Sequence, residues 1–111
     1  MMSERLEQLK EFLKDSPQYP FLKYAMATEY LKLGKQKEAL EGYMDLITNH
    51  ADYVGTYYHL GKLYEKMNRP DDARTIYKNG MIITQQKRNM HALNELRGAL
   101  SLLDGDDEDE Y

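Results

Sequence analysis

Three histidines, three serines and the adjacent aspartates Asp71 and Asp72 are what the body of this chain offers for catalysis or metal binding, and it has no cysteine. Without thiols there is no disulfide, thiolate zinc site, iron–sulfur cluster or cysteine nucleophile. His50, His59 and His91 share no spacing that places two imidazoles on one helical turn, so no metal site is expected. Ser3, Ser16 and Ser101 lie in no nucleophile-elbow context. Asp71 and Asp72 follow Pro70, where carboxylates suit the positive end of a helix dipole better than paired acid–base work. The seven glycines never cluster, so no loop cradles a phosphate. The acidic run from Asp104 to Glu110 lacks the ligand spacing of a calcium loop. No nucleophile and base can be paired, so neither an enzyme nor a cofactor is expected. What remains is recognition chemistry. Lys62 and Lys66 stand four apart, on one helical face, where they suit either a carboxylate-bearing ligand or plain solvation. Ten tyrosines and two phenylalanines supply contact surface or packing.

The charge balance narrows the partners. The chain of 111 residues carries a formal charge of −4, but residues 104–111 hold six of its 19 acids and no base. Residues 1–103 are therefore slightly basic, which disfavours nucleic acid as a partner. The acidic end reads as a solubilising disordered tail, or as a segment that covers the Lys62 and Lys66 side of a groove. No apolar run approaches 18 residues, and the N-terminus lacks the unbroken apolar stretch of a signal peptide. Neither membrane insertion nor export is expected, and the cytoplasm is the default location.

The elements that must position these side chains are helices. Leu6, Leu9, Phe12 and Leu13 recur at helical spacing over residues 3–14, with Ser3 as N-cap. Further helices are predicted over about 20–33, 36–49, 53–67, 70–84 and 89–103. Pro20 and Pro70 suit first turns, and Gly34 and Asn68 suit left-handed helix ends. Asp52 is a candidate N-cap for the fourth helix. The break at residues 85–89 has no glycine or proline to mark it. No stretch alternates as a strand does, so the fold class is all-α.

A 34-residue self-similarity organises the helices. At that offset Tyr24 meets Tyr58, Met26 meets Leu60 and Ala27 meets Gly61. Tyr30 likewise meets Tyr64, Gly34 meets Asn68, Ala39 meets Ala73 and Tyr43 meets Tyr77. The second copy reads Tyr57, Leu60-Gly61, Tyr64, then Ala73 and Tyr77. The first reads Lys23, Met26-Ala27, Tyr30, then Ala39 and Tyr43, with a lysine where the second has an aromatic. The aliphatic stem of Lys23 can cover the same surface while its ammonium stays in water. On these motifs the chain resembles the tetratricopeptide repeat family. Residues 20–53 and 54–87 would be two full repeats. Residues 3–14 match the second helix of a truncated repeat, since Leu40, Tyr43, Leu46 and Ile47 shift onto Leu6, Leu9, Phe12 and Leu13. Residues 89–103 have lost the signature and would cap the stack with a polar face.

The resemblance implies a single domain over residues 1–103. Its antiparallel helix hairpins, about six helices in all, would stack as a short right-handed superhelix. It also implies a function. The first helix of each hairpin lines the concave side, which in this family holds an extended or helical peptide. Carried over position by position, the groove would comprise Phe21, Tyr24, Thr28, Leu31 and Lys32 in one repeat. It would comprise Gly55, Tyr58, His59, Lys62, Glu65 and Lys66 in the other, with Asn89, Ala92, Leu96 and Ala99 from the last helix. One branch of the family clamps chaperone tails with lysine and asparagine; Tyr24, Thr28 and His59 stand there instead, so that ligand is not expected. The chain is thus expected to be a protein-binding adaptor. The alternative is a self-assembling unit that pairs through Met90, Leu93, Leu96, Leu100 and Leu103.

Overall fold

Ser3 starts the first helix in two ways. Its hydroxyl oxygen accepts the Leu6 amide at 2.9 Å, and its hydroxyl donates to Glu29 at 3.0 Å. In this computed structural model, which describes residues 3–105, α1 (Glu4–Asp15) follows directly. It is succeeded by α2 (Pro20–Lys32), α3 (Gln36–Asn49), α4 (Gly55–Lys66), α5 (Pro70–Gln86) and α6 (Met90–Asp104). Among the described residues there is no strand. Pro20 and Pro70 each occupy a first helical turn, where a missing N–H costs nothing. Asp71 and Asp72 follow in the first turn of α5, at the positive end of its dipole. Asp52 does not cap α4. Val54 holds that position with no side-chain hydrogen bond, because the chain turns again between Asp52 and the first helical residue.

Three turns share one construction. The amides of Lys35, Arg69 and Asn89 donate back to the carbonyls of Tyr30, Tyr64 and Thr84, at 2.9, 2.8 and 2.9 Å. This closure puts the preceding residue in the left-handed region. Gly34 (φ 78°), Asn68 (φ 61°) and Arg88 (φ 57°) take it. The first two carry the expected residue types. The third does not, which is why the end of α5 was obscure: the helix continues to Gln86, and an arginine accepts the strain. Asn89 then caps α6 by accepting the Ala92 amide at 3.1 Å.

The described residues form two compact units, divided along the sequence between Tyr53 and Val54, where the two copies of the repeat adjoin. In the first, α2 packs against both α1 and α3. Leu6, Leu9, Ala27, Ala39, Tyr43 and Leu46 are buried there. The Tyr43 hydroxyl is satisfied by Thr28 at 2.8 Å. The Lys23 stem is largely covered, and its ammonium is paired at the surface. It is 2.7 Å from Asp45 and 3.0 Å from Gln18.

In the second unit α4 packs on α5, α5 on α6, and α6 reaches back to α4. Leu60, Leu63, Tyr77, Leu93 and Leu96 are wholly buried; each leucine contributes about 1.5–3 kcal/mol of transfer free energy. Close approach of α4 and α5 depends on Gly61, where a methyl would sit 2.2 Å from the Tyr77 ring. That ring's hydroxyl donates to Glu65, so its one polar atom stays bonded.

Two boundaries change at α6. The helix includes Asp104, assigned from sequence to the acidic tail, because its carboxylate accepts Arg74 Nε at 2.7 Å. The rest of the expected tail, residues 106–111, lies outside the described residues. The leucine stripe expected to be free for self-pairing is largely turned inward. Leu93 and Leu96 are buried, Leu100 and Leu103 half-buried, and Met90 exposed. The outward face carries Asn94, Glu95, Arg97 and Gly98, with Leu102 exposed among them.

Candidate functional site

In the first unit the predicted groove residues sit on one stripe of α2, but they differ in freedom. Phe21 is 47% exposed, and its ring lies 6.4 Å from that of Tyr19. Tyr24 is half-buried, with ring centroids 5.6 Å from Tyr53 and 6.3 Å from Tyr43. Burial raises the phenols of Tyr24, Tyr43 and Tyr53 above their ordinary value, with the charge of neighbouring phenols adding to this at Tyr24 and Tyr53. Thr28 is engaged by Tyr43. Leu31 is half-buried and Lys32 exposed. Only Phe21 and Lys32 are open surface, and Tyr24 is a packed member of an aromatic cluster.

The second unit holds a cleft of about 380 Å3 between the start of α4 and α6. Gly55, Tyr58 and His59 line it from α4; Asn89, Ala92 and Leu96 face them from α6 and its cap. These six were all expected from sequence. Val54, His91 and Glu95 complete the lining and were not. The Tyr58 and His59 rings meet edge to face at 5.6 Å, and Lys62 Nζ sits 5.6 Å from the Tyr58 ring centroid. His91 Nε2 lies 3.6 Å from Glu95. Burial holds the His59 imidazole below its usual range, opposed by the negative charge of Glu95. The cleft therefore offers an aromatic face, an imidazole kept neutral, an amide and a carboxylate. Such groups can stack and form hydrogen bonds.

The same framework appears in known proteins. A crystal structure of a tetratricopeptide repeat domain protein from Salinibacter ruber matches with a TM-score of 0.76 and 40% identity, over 81% of this chain and 100% of that one. The chain belongs to the tetratricopeptide repeat family. A solution NMR structure of a tetratricopeptide repeat domain protein from the same organism gives 0.78 and 41%, over 82% and 92% of the two chains. The fold alone is shared with a Bordetella parapertussis protein, at a TM-score of 0.81 and 20% identity over 98% and 95%. No protein-family model matches, and neither does any curated protein. Tetratricopeptide repeats are protein-interaction modules, and the fold typically serves as a non-enzymatic scaffold. Among the described residues no helix is long and apolar enough to cross a membrane, and no group of three or more acids and histidines could hold a metal ion.

The remaining groove positions of this repeat protein are not gathered with the cleft. Lys62, Glu65 and Lys66 follow it along α4, outside the lining. Lys62 stands 3.8 Å from Glu65, and Glu65 also accepts the Tyr77 hydroxyl, so part of the expected positive patch is neutralised. Lys66 is exposed, and Ala99 is buried rather than available. His91 and Glu95 escaped prediction because α6 lacks the repeat signature. Their spacing of four residues on one helix was the only hint.

Proposed function

We propose that this tetratricopeptide repeat protein is a cytoplasmic adaptor, without catalytic activity, that binds a peptide segment of a partner protein on the first helices of its repeats. On α2 the contact residues are Phe21 and Leu31, with Tyr24 and Thr28 behind them, Tyr24 packed on Tyr43 and Tyr53 and Thr28 hydrogen-bonded to Tyr43. Tyr58, His59, Lys62, Glu65 and Lys66 are the contribution of α4. The observation that carries the reading is the α4–α6 cleft, where six residues expected for the groove line one concavity with Tyr58 as its aromatic wall. Half-buried aromatics beside satisfiable polar groups are the usual anchors of such contacts. The test is affinity capture from native cell extract with wild type, Tyr58→Ala and His91→Ala side by side. Both variants are expected to lose partner while keeping their helical circular dichroism. Full capture by both would place binding elsewhere. Self-pairing through α6 receives less support, since Leu93 and Leu96 already serve the core of the second unit.

A further inference from the structure

The two repeats fill equivalent positions differently. The second places Tyr57 and Ile76 in its interior, 3% and 8% exposed. At the same offset of 34 the first has Lys23 and Gly42. An aromatic ring and a branched side chain are thus missing from the first unit. In their place is a cavity of about 280 Å3, lined by Leu13, Pro17, Met26, Ala27, Tyr30 and Gly42. Its polar edge is formed by Lys23, Asp45 and Glu38. The Lys23 side chain is only 13% exposed and is held by Asp45 at 2.7 Å, so it cannot swing in to close the space without breaking that pair.

We propose that this cavity takes one aromatic side chain from a partner peptide, with an adjacent lysine or arginine meeting Glu38 and Asp45. The second repeat supplies the template for the occupant, since its own Tyr57 and Ile76 occupy the matching positions. Size agrees. The cavity falls below the roughly 300–1,000 Å3 of sites for drug-sized molecules and suits a single anchor. Charge agrees as well, because two carboxylates face one ammonium at the edge. The inference rests on the chain being a peptide-binding module, but it concerns the stripe of α2 that carries Lys23, Met26, Ala27 and Tyr30. Tyr24, Thr28 and Leu31 lie on a different stripe.

The test is a titration of isotope-labelled protein, followed by amide NMR, with the blocked peptide Gly-Gly-Phe-Lys-Gly-Gly. Saturable shifts are expected at Met26, Ala27, Tyr30 and Gly42. They should vanish when alanine replaces phenylalanine and weaken when glutamate replaces lysine. Ala27→Gly with Gly42→Ile copies the second repeat and fills the cavity, and it should weaken binding by about tenfold or more. Lys23→Tyr fills it from the opposite side and serves if the double variant does not fold. Equal shifts from the alanine peptide, no shifts at these four amides, or wild-type affinity in a folded filled variant would overturn the proposal. Shifts confined to Tyr58, His59 and Ala92 would overturn it too, while leaving the module reading intact. Shifts at the four cavity amides alone would support it even if the cleft stayed silent.

Discussion

A hydrogen in place of a methyl at Gly61 is what lets the Tyr77 ring lie against α4. Gly61→Ala is therefore expected to cost about 1–3 kcal/mol in urea unfolding, as overpacking does. Tyr77→Phe keeps the ring but leaves Glu65 without its phenol donor, at about 1–2 kcal/mol. Tyr24→Ala should act on stability more than on binding, because Tyr24 is packed with Tyr43 and Tyr53. His59 adds a pH dependence. Its imidazole is held below the usual range by burial, so the unfolded chain takes up the proton first, near pH ~6.5. Its contribution is complete above that value and declines as pH falls toward the folded value. Urea midpoints should drop as pH falls below the ordinary imidazole range, and His59→Gln should flatten that slope. At this scale the repeated small and aromatic positions were legible, since Gly61 and Tyr77 keep their register with Ala27 and Tyr43. The distinction between a groove tyrosine and a packed one was not. Tyr24 and Tyr58 are identical by register, and only their neighbours in space separate them.

Helix ends show how far local chemistry reaches. Pro20, Pro70, Ser3, Gly34 and Asn68 each marked a boundary by a backbone property intrinsic to the residue, and α3 has the limits predicted for it. Arg88 has no such property. It is left-handed because the closure onto Thr84 and the packing of α5 and α6 require a turn there. Arg88→Gly should accordingly stabilise the protein by about 0.5–1 kcal/mol, as relief of left-handed strain exceeds the added chain entropy. Gly34→Ala should do the reverse by about 1 kcal/mol, although a methyl there would touch nothing within 4 Å. Thermal unfolding of the two variants, with opposite signs, tests the shared turn. The α6 helix was legible as an element but not as part of a site, because His91 and Glu95 acquire meaning only when α6 packs back onto α4.

For the whole molecule, a 34-residue period carried the fold and the family, and the likeness to the Salinibacter ruber protein at 40% identity agrees with it. The charge split was legible too, except that Asp104 belongs to α6 through Arg74. The interior departure of the first repeat from the second, Lys23 and Gly42 against Tyr57 and Ile76, was visible in the alignment of the repeats, but the cavity it leaves needed three packed helices to appear. Peptide binding through the α4–α6 cleft is the central claim, and site-specific photocrosslinking tests it most directly. A photoreactive residue at Tyr58 or Ala92 should trap a partner in native extract, while one at Lys78 or Asn79, exposed on α5, should not. Equal trapping at both pairs of positions, or trapping only on α5, would contradict the account.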